Sequence, residues 1–307
     1  MSREFEDFNL GSLELFCLVA ELGSFTSAAT AAGLTPPAVS RTVARLEERL
    51  GARLFTRNTR NVRLTEGGRA YYAQSRQALS QLAEAERLLT GQQAQASGTV
   101  RLSLPTSYGH YRVLPLLGEF RRHHPGVRLE VQLSNQNVDL LSDGYDLAVR
   151  ARTLPDSGLV ARKLEDAGLV IVASPEYLDR TESIRVAADL GRHECIFFSR
   201  PSTGQPTPWL LREGERIVEW LRDDRGLSCL EDLNGPVTLA RHGAGVTQTY
   251  RFMVEDDLAQ GRLVEVLPEL GGASRPFSLI YPTQRHVPQR VKVLIDFLVE
   301  RLAVRAR

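Results

Sequence analysis

Seven arginines, at positions 41, 45, 49, 53, 57, 60 and 63, lie between Gly33 and Arg63 against only two acids, Glu47 and Glu48. Seven minus two makes this stretch net +5, in a chain whose overall charge is +1. Guanidinium groups grip phosphate oxygens and guanine edges in a fixed fork, so a local cluster of them is the footprint of a polyanion surface. Only two of the 38 basic residues are lysines, so the clustering carries the signal and the residue type does not. A second kind of chemistry is written in "SLPTSYGHY". Thr106 and Ser107 follow Pro105 just past an apolar run, where hydroxyls and free amides form a cradle for a carboxylate or another acceptor-rich ligand. Ser134, Phe198, Ser199, Thr247 and Gln248 occupy comparable places after other apolar runs. Each alone reads as a cap or loop residue, and together they outline a cleft. Arg150, ending "DLAVR", either neutralises an acidic ligand or makes an ion pair with Asp146 or a neighbour.

Other chemistries are missing. The six histidines (110, 123, 124, 193, 242 and 286) lack metal spacing, and the adjacent His123 and His124 suit a helix C-terminus, where positive charge is favoured. Cys17, Cys195 and Cys229 form no C-x-x-C pair and read as buried reduced thiols rather than a redox switch between Cys195 and Cys229. No G-x-S-x-G, H-E-x-x-H or phosphate-loop pattern occurs. These absences point to no catalytic residue, no metal and no cofactor. A 42% apolar, 24% charged chain of 307 residues builds two or three cored domains. The mixed, acidic start "MSREFEDFNL" and the lack of a long apolar run predict a cytoplasmic protein without a membrane span.

The elements that must position these groups follow from periodicity. In "FNLGSLELFCLVAEL" Leu13, Phe16, Cys17, Val19 and Ala20 share one helical face that stops at Gly23. Ser24 caps a short alanine-rich helix that ends at Gly33. The next helix starts at Thr35, Pro36 and Pro37, with Thr35 as cap and proline at the first helical position, and buries Val39, Val43, Leu46 and Leu50. Ser40, Arg41, Arg45 and Arg49 fall off that stripe. Two helices joined by a tight glycine turn form a helix-turn-helix, and "ARLFTRNTRNVRLT", turning at Asn58 and Asn61, adds a two-stranded wing.

A long helix follows from Glu66, with Tyr71, Ala78, Leu82, Ala85 and Leu89 near one side and no partner in the adjoining sequence. A narrow apolar seam of this kind packs against a second copy. The polar stretch 90–98 is a linker. From Thr99 onward strands and helices alternate, which predicts two α/β lobes, with strands near 168–173 and 277–281 crossing between them. The expected domains are 1–65, a winged helix-turn-helix; 66–95, a dimerisation helix and hinge; and 96–307, with lobe I at 96–168 and 275–307 and lobe II at 169–274.

This order of parts resembles the LysR-type transcriptional regulators. The likeness is carried by "FTSAATAAGLTPPAVSRTVARLEERLGARLFTRNTRNVRLTEGG" and, in family order, by "FRRHHPGVRLEV", "DLAVRA", "LVIVASPEYL" and "GAGV". It covers essentially the whole chain. The resemblance implies an all-α winged helix-turn-helix before a periplasmic-binding-protein-like effector domain. It also implies a homodimer, usually assembled into a homotetramer, on double-stranded promoter DNA. A small effector, a carboxylate or an aromatic, would be held between the lobes.

The family places the first turn of its recognition helix in the major groove. The matching positions here are Thr35, Pro36, Pro37, Ser40 and Arg41, with Arg45 one turn on at phosphate and Arg57, Thr59 and Arg60 on the wing. Arg49 and Arg53 read as solvated surface residues. The family often has glutamine where this chain has Pro36, so base preference at that position does not carry over. The alternative reading is a cytosolic small-molecule-binding or enzymatic α/β protein whose N-terminal region only dimerises.

Overall fold

The computed structural model describes residues 9–58, 61–89, 96–136, 139–140, 143–151, 158–221, 226–283 and 287–305. The chain divides into two compact units, Met1–Ala96 with Asp139–Asp146, and Ser97–Val138 with Leu147–Arg307. No helix among the described residues is long and apolar enough to cross a membrane.

In the first unit, α1 (Leu10–Leu22), α2 (Phe25–Ala32) and α3 (Pro36–Leu50) precede a hairpin of β1 (Phe55–Asn58) and β2 (Asn61–Leu64) and then α4 (Glu66–Leu89). Phe16, Val19, Ala28, Val39, Val43 and Leu46 form one core with Phe55 of the hairpin. Gly23, Gly33 and Gly51 end the three helices in the left-handed conformation. Ser24 caps α2 by accepting from the Ser27 amide. In the "TEGG" stretch a Cβ on Gly68 would lie 2.0 Å from the Leu54 carbonyl oxygen, so the start of α4 rests on the hairpin entry only without a side chain there.

Three expectations are corrected in this unit. Leu50 is 38% exposed, and the fourth inward position of α3 belongs to Glu47, 4% exposed. Thr35 holds the cap position but its side chain makes no cap bond. Proline at the second helical position has no amide to offer, and the Ala38 amide already donates to the Thr35 carbonyl. The start of α4 does have a partner in its own chain. Tyr71, Tyr72 and Leu79 pack on the core just described, and Tyr72 Oη donates to Glu21 at 3.0 Å. Ala78 and Leu82 are exposed on α4, while the side chains of Ala85 and Leu89 and most of the 90–98 linker lie outside the described residues.

The second unit begins with β3 (Gly98–Leu104), α5 (Thr106–Tyr108), a π turn at Gly109–Val113 and α6 (Leu114–His123), followed by β4 (Val127–Leu133), β5 (Leu147–Arg150) and β6 (Leu159–Ala173). The polar stretch "NVDLLSDG", which reads as a short helix, lies half outside the described residues. After α7 (Pro175–Asp179) come β7 (Phe197–Ser199), β8 (Trp209–Glu213), β9 (Arg216–Trp220), β10 (Ser228–Leu230) and α8 (Asn234–Arg241). The chain closes with β11 (Thr247–Tyr250), α9 (Arg251–Ala259), β12 (Val264–Glu265), β13 (Ser274–Pro282) and α10 (Gln289–Arg305).

The main sheet runs β11-β6-β13-β5-β3-β4, with β12 also on β6. β3 is parallel to β4 and β5, as the alternating pattern predicts, while β13 is antiparallel to both β5 and β6. β6 pairs with β13 from Leu159 to Gly168 and with β11 from Leu169 to Val172, so one long strand serves two ladders. Where it changes partner, the Tyr108 ring stacks on Phe277 at 4.0 Å and meets Phe252 edge-on. Arg112 pairs with buried Glu165 at 3.2 Å and lies 4.7 Å over the Phe252 ring. The β8–β9 hairpin, not anticipated from sequence, places Trp209 and Trp220 with Phe197 in a separate aromatic core.

Candidate functional site

The arginine cluster resolves into two groups. Val39, Val43, Leu46 and Glu47 face inward on α3, leaving Arg41 and Arg45, one turn apart, on the exposed side. Neither makes an ion pair or hydrogen bond among the described residues. Thr35, Pro36 and Pro37 are exposed at the same end, and Ser40 is half-buried beside Arg41. Arg53 is different, since its guanidinium is 3.1 Å from the Glu47 carboxylate. Arg57 lies in β1 opposite Val62, and its side chain falls outside the described residues, as do Thr59 and Arg60 altogether.

Glu47 is the residue sequence reasoning missed in this unit. Its Oε1 accepts from the Leu54 and Phe55 amides at 2.8 and 3.1 Å, tying α3 to the hairpin. Burial by itself would raise its carboxyl, but the two backbone N–H groups and Arg53 outweigh that and hold it below the ordinary carboxylate range. The signal available in the sequence was the spacing, since Glu47 follows Val43 by one helical turn on the apolar stripe.

In the second unit Thr106 and Ser107 open α5 after β3, Ser134 follows β4, and Arg150 and Ser199 end β5 and β7, but Phe198 lies within β7 and Thr247 and Gln248 open β11 instead of following a strand, and most are engaged by the fold. Arg150 is buried and donates to the Ser103 carbonyl and hydroxyl, the Val149 carbonyl and the Gln136 carbonyl, so its charge serves the strand ends rather than standing open in a cleft. Thr247 is buried with its hydroxyl on the Ile196 carbonyl, Gln248 bonds both the amide and carbonyl of Leu210, and Ser107 and Ser199 are buried. Ser134 accepts from the Gln136 amide, and Phe198 is half-buried opposite Cys229 in the parallel β7–β10 pair. Thr106 bonds side chains of two other segments. Its Oγ1 accepts from Asn135 Nδ2 at 2.6 Å and donates to Asp232 Oδ1 at 3.3 Å, while its amide donates to Asn135 Oδ1 at 3.1 Å. Asn135 and Asp232 were not singled out from the sequence, although "LSNQN" and "EDLNG" are polar runs closing strands.

Cys17 and Cys195 are buried thiols, and Cys195 Sγ donates to the Leu190 carbonyl. Register sets Cys229 opposite Phe198, and burial, with the Asp232 charge, pushes its thiol up, which disfavours the reactive thiolate. His123 ends α6 as expected, and His124 follows it at the cap. His193 is buried with Nδ1 3.2 Å from Tyr177 Oη. That hydroxyl accepts from the Glu194 amide at 2.9 Å, which leaves its own proton for His193 and favours the neutral ring. Burial lowers the His193 pKa in the same sense.

Comparison with known proteins agrees with this geometry. Residues 10–69 match the family described as "Bacterial regulatory helix-turn-helix protein, lysR family", and residues 93–303 match "LysR substrate binding domain". The HTH-type transcriptional regulator YhjC of Escherichia coli K12 is 34% identical over 287 residues, 94% of this chain and 95% of that protein. CrgA of Neisseria meningitidis serogroup C, an HTH-type transcriptional regulator, is 33% identical over 295 residues, 96% and 97% of the two chains. Among solved structures, CrgA of Neisseria meningitidis superposes with a TM-score of 0.59 at 31% identity, covering 96% of this chain and 99% of its own. The Vibrio cholerae virulence activator AphB gives 0.60 at 30% identity, covering 95% and 99%. The N-terminal match overturns the alternative of an enzyme or solute binder with a mere dimerisation module. The chain belongs to the LysR family of transcriptional regulators, in which a DNA-binding helix-turn-helix domain is joined to a regulatory domain that binds a small-molecule effector.

Proposed function

We propose that the protein works in the cytoplasm as a dimer of dimers on promoter DNA, with the first turn of α3 in the major groove. In this reading Thr35, Pro36, Pro37, Ser40 and Arg41 face base edges, Arg45 meets phosphate, and Arg57, Thr59 and Arg60 on the wing reach the backbone or minor groove. The observation that carries it is the pair of exposed guanidiniums of Arg41 and Arg45, unpaired among the described residues, beside the proline-started end of α3. The two prolines remove two amide donors from that end, so the arginines and Ser40 carry the contact. The exposed Ala78 and Leu82 make α4 the dimer seam.

Domain limits of 1–65, 66–95 and 96–307 accompany this reading, with lobe I at 96–168 and 275–307 and lobe II at 169–274. The switch of β6 between partners at Gly168 and Leu169 supports that division. The effector, a carboxylate or an aromatic, binds at the strand ends around Thr106 and Ser134.

The test is equilibrium binding of the full chain to its own upstream DNA and to random DNA across a salt series. Specific affinity falls linearly in log–log form with salt and exceeds random affinity at every salt concentration. Equal affinity for the two DNAs would sink the assignment of α3 as a base-reading helix.

A further inference from the structure

The polar groups around Thr106 are already occupied, and by groups of this chain. Three segments meet there: the turn after β3 brings Thr106, the turn after β4 brings Asn135, and the turn between β10 and α8 brings Glu231 and Asp232. Asn135 Nδ2 donates both to Thr106 Oγ1 and to the Glu231 carbonyl oxygen. Glu231 has φ of 67°, a conformation rare for a residue with a side chain. Asp232 Oδ1 accepts from the Asn234 amide at 3.1 Å, from Asn234 Nδ2 at 3.0 Å and from Thr106 Oγ1 at 3.3 Å. Asn234 is the first residue of α8, so the carboxylate is held to that helix while it reaches Thr106.

We propose that Glu231 and Asp232 are a tethered occupant of the effector turn, a carbonyl and a carboxylate that hold the Asn135 and Thr106 donors until an acceptor-bearing effector displaces them. The inference rests on the assignment of Thr106 to effector binding and adds what regulates that site. Of the three bonds to Asp232 Oδ1, two come from Asn234 of its own turn and one from Thr106 of another segment, so the Thr106 bond can open while the carboxylate stays with α8. What leaves is a pair of acceptors, and what replaces it must bring acceptors of the same kind, a carboxylate above all. Arg150 is engaged within the fold, so the incoming group is received by neutral donors and must compete with a carboxylate held nearby at high effective concentration. Displacement also frees the start of α8 from the turns after β3 and β4, which links occupancy of the site to the position of a helix.

The test is amide hydrogen exchange on the full chain, without DNA. In Asp232→Ala, exchange at the Thr106 amide, which is bonded to Asn135 and not to Asp232, rises about fivefold or more because the bridge no longer holds Asn135 and Thr106 together. Acetate, the carboxylate that was removed, restores protection at about 100 mM, and ammonium chloride at the same ionic strength does not. In Asn135→Ala, exchange at the Asn234 amide rises across the bridge, a second readout on a different segment. Unchanged exchange at Thr106 in Asp232→Ala and at Asn234 in Asn135→Ala would overturn the bridge. A rise at Thr106 that acetate does not reverse, or that ammonium chloride reverses equally, would overturn the effector-turn reading beneath it. Loss of operator preference is measured separately and bears on the α3 assignment alone.

Discussion

The exposed side of α3 and the strand ends around Thr106 both carry polar side chains, and the fold treats them oppositely. On α3, Arg41 and Arg45 stand in solvent without partners among the described residues. At the strand ends, Arg150, Thr247, Gln248 and Thr106 are each bonded to the chain itself. The difference follows from solvation. A guanidinium on a convex helix keeps its water until a polyanion arrives, whereas polar groups drawn into a fold must find partners or lose free energy. In the proposed reading, a surface that meets a long polyanion is left open, and a turn that receives a small molecule fills its own bonds while empty.

The largest effect that sharpens this contrast lies beneath α3. Glu47→Ala leaves the Leu54 and Phe55 amides without their acceptor and destabilises the first unit by about 3 kcal/mol. Both tryptophans lie in the second unit, so the far-ultraviolet dichroism transition in urea shifts to lower denaturant while the tryptophan fluorescence transition stays in place. A matching shift in fluorescence would show that the two units do not unfold separately. Because the Glu47 carboxyl is held below its usual range, its contribution is present at neutral pH and is lost as pH falls through that lowered value.

Next in size, Arg41→Ala costs about 1 to 3 kcal/mol of preference for operator over random DNA, roughly 5- to 150-fold, with stability changed by less than about 0.5 kcal/mol. Retained discrimination in anisotropy titrations would break the contrast, because the open arginine would then be an idle surface group.

A smaller effect belongs to the second unit. His193 is buried and its pKa is lowered, so the folded state disfavours protonation; its contribution is intact above the ordinary histidine value of about 6.5 and declines as pH falls below it. The tryptophan-reported transition weakens over that window, and His193→Gln removes this dependence. A pH profile identical in the variant would refute the role given to the Tyr177 contact. Smallest in stability is Pro36→Gln, within about 1 kcal/mol at a first helical position. It nonetheless changes the preferred operator bases in a selection experiment, because glutamine can bond an adenine edge and proline cannot.

Much of this arrangement was legible in the chain because the signals were local. Apolar spacing and terminal glycines located α1, α2 and α3, the turn at Asn58 and Asn61 located the hairpin, and strand and helix alternation located most of the second unit. Leu50 failed because it is the last residue of its helix, beyond the reach of the core, and Glu47 succeeded there because the neighbouring hairpin supplied two amides. The β8–β9 hairpin escaped because "WLLREGERIVEW" carries charges on a mostly exposed face and its aromatic packing on Phe197 is distant in sequence.

The sequence by itself determined the cationic helix with its rigid proline start, the order of elements and the family, since each depends on residue type and near-neighbour spacing. Only the tertiary structure decided which polar groups remain available. That choice depends on bonds such as Thr106 to Asp232 and Arg150 to Ser103, between residues far apart in the chain. No local pattern records whether a distant carboxylate or carbonyl will arrive to take a donor, and at the turn proposed for the effector that arrival sets what a ligand must displace.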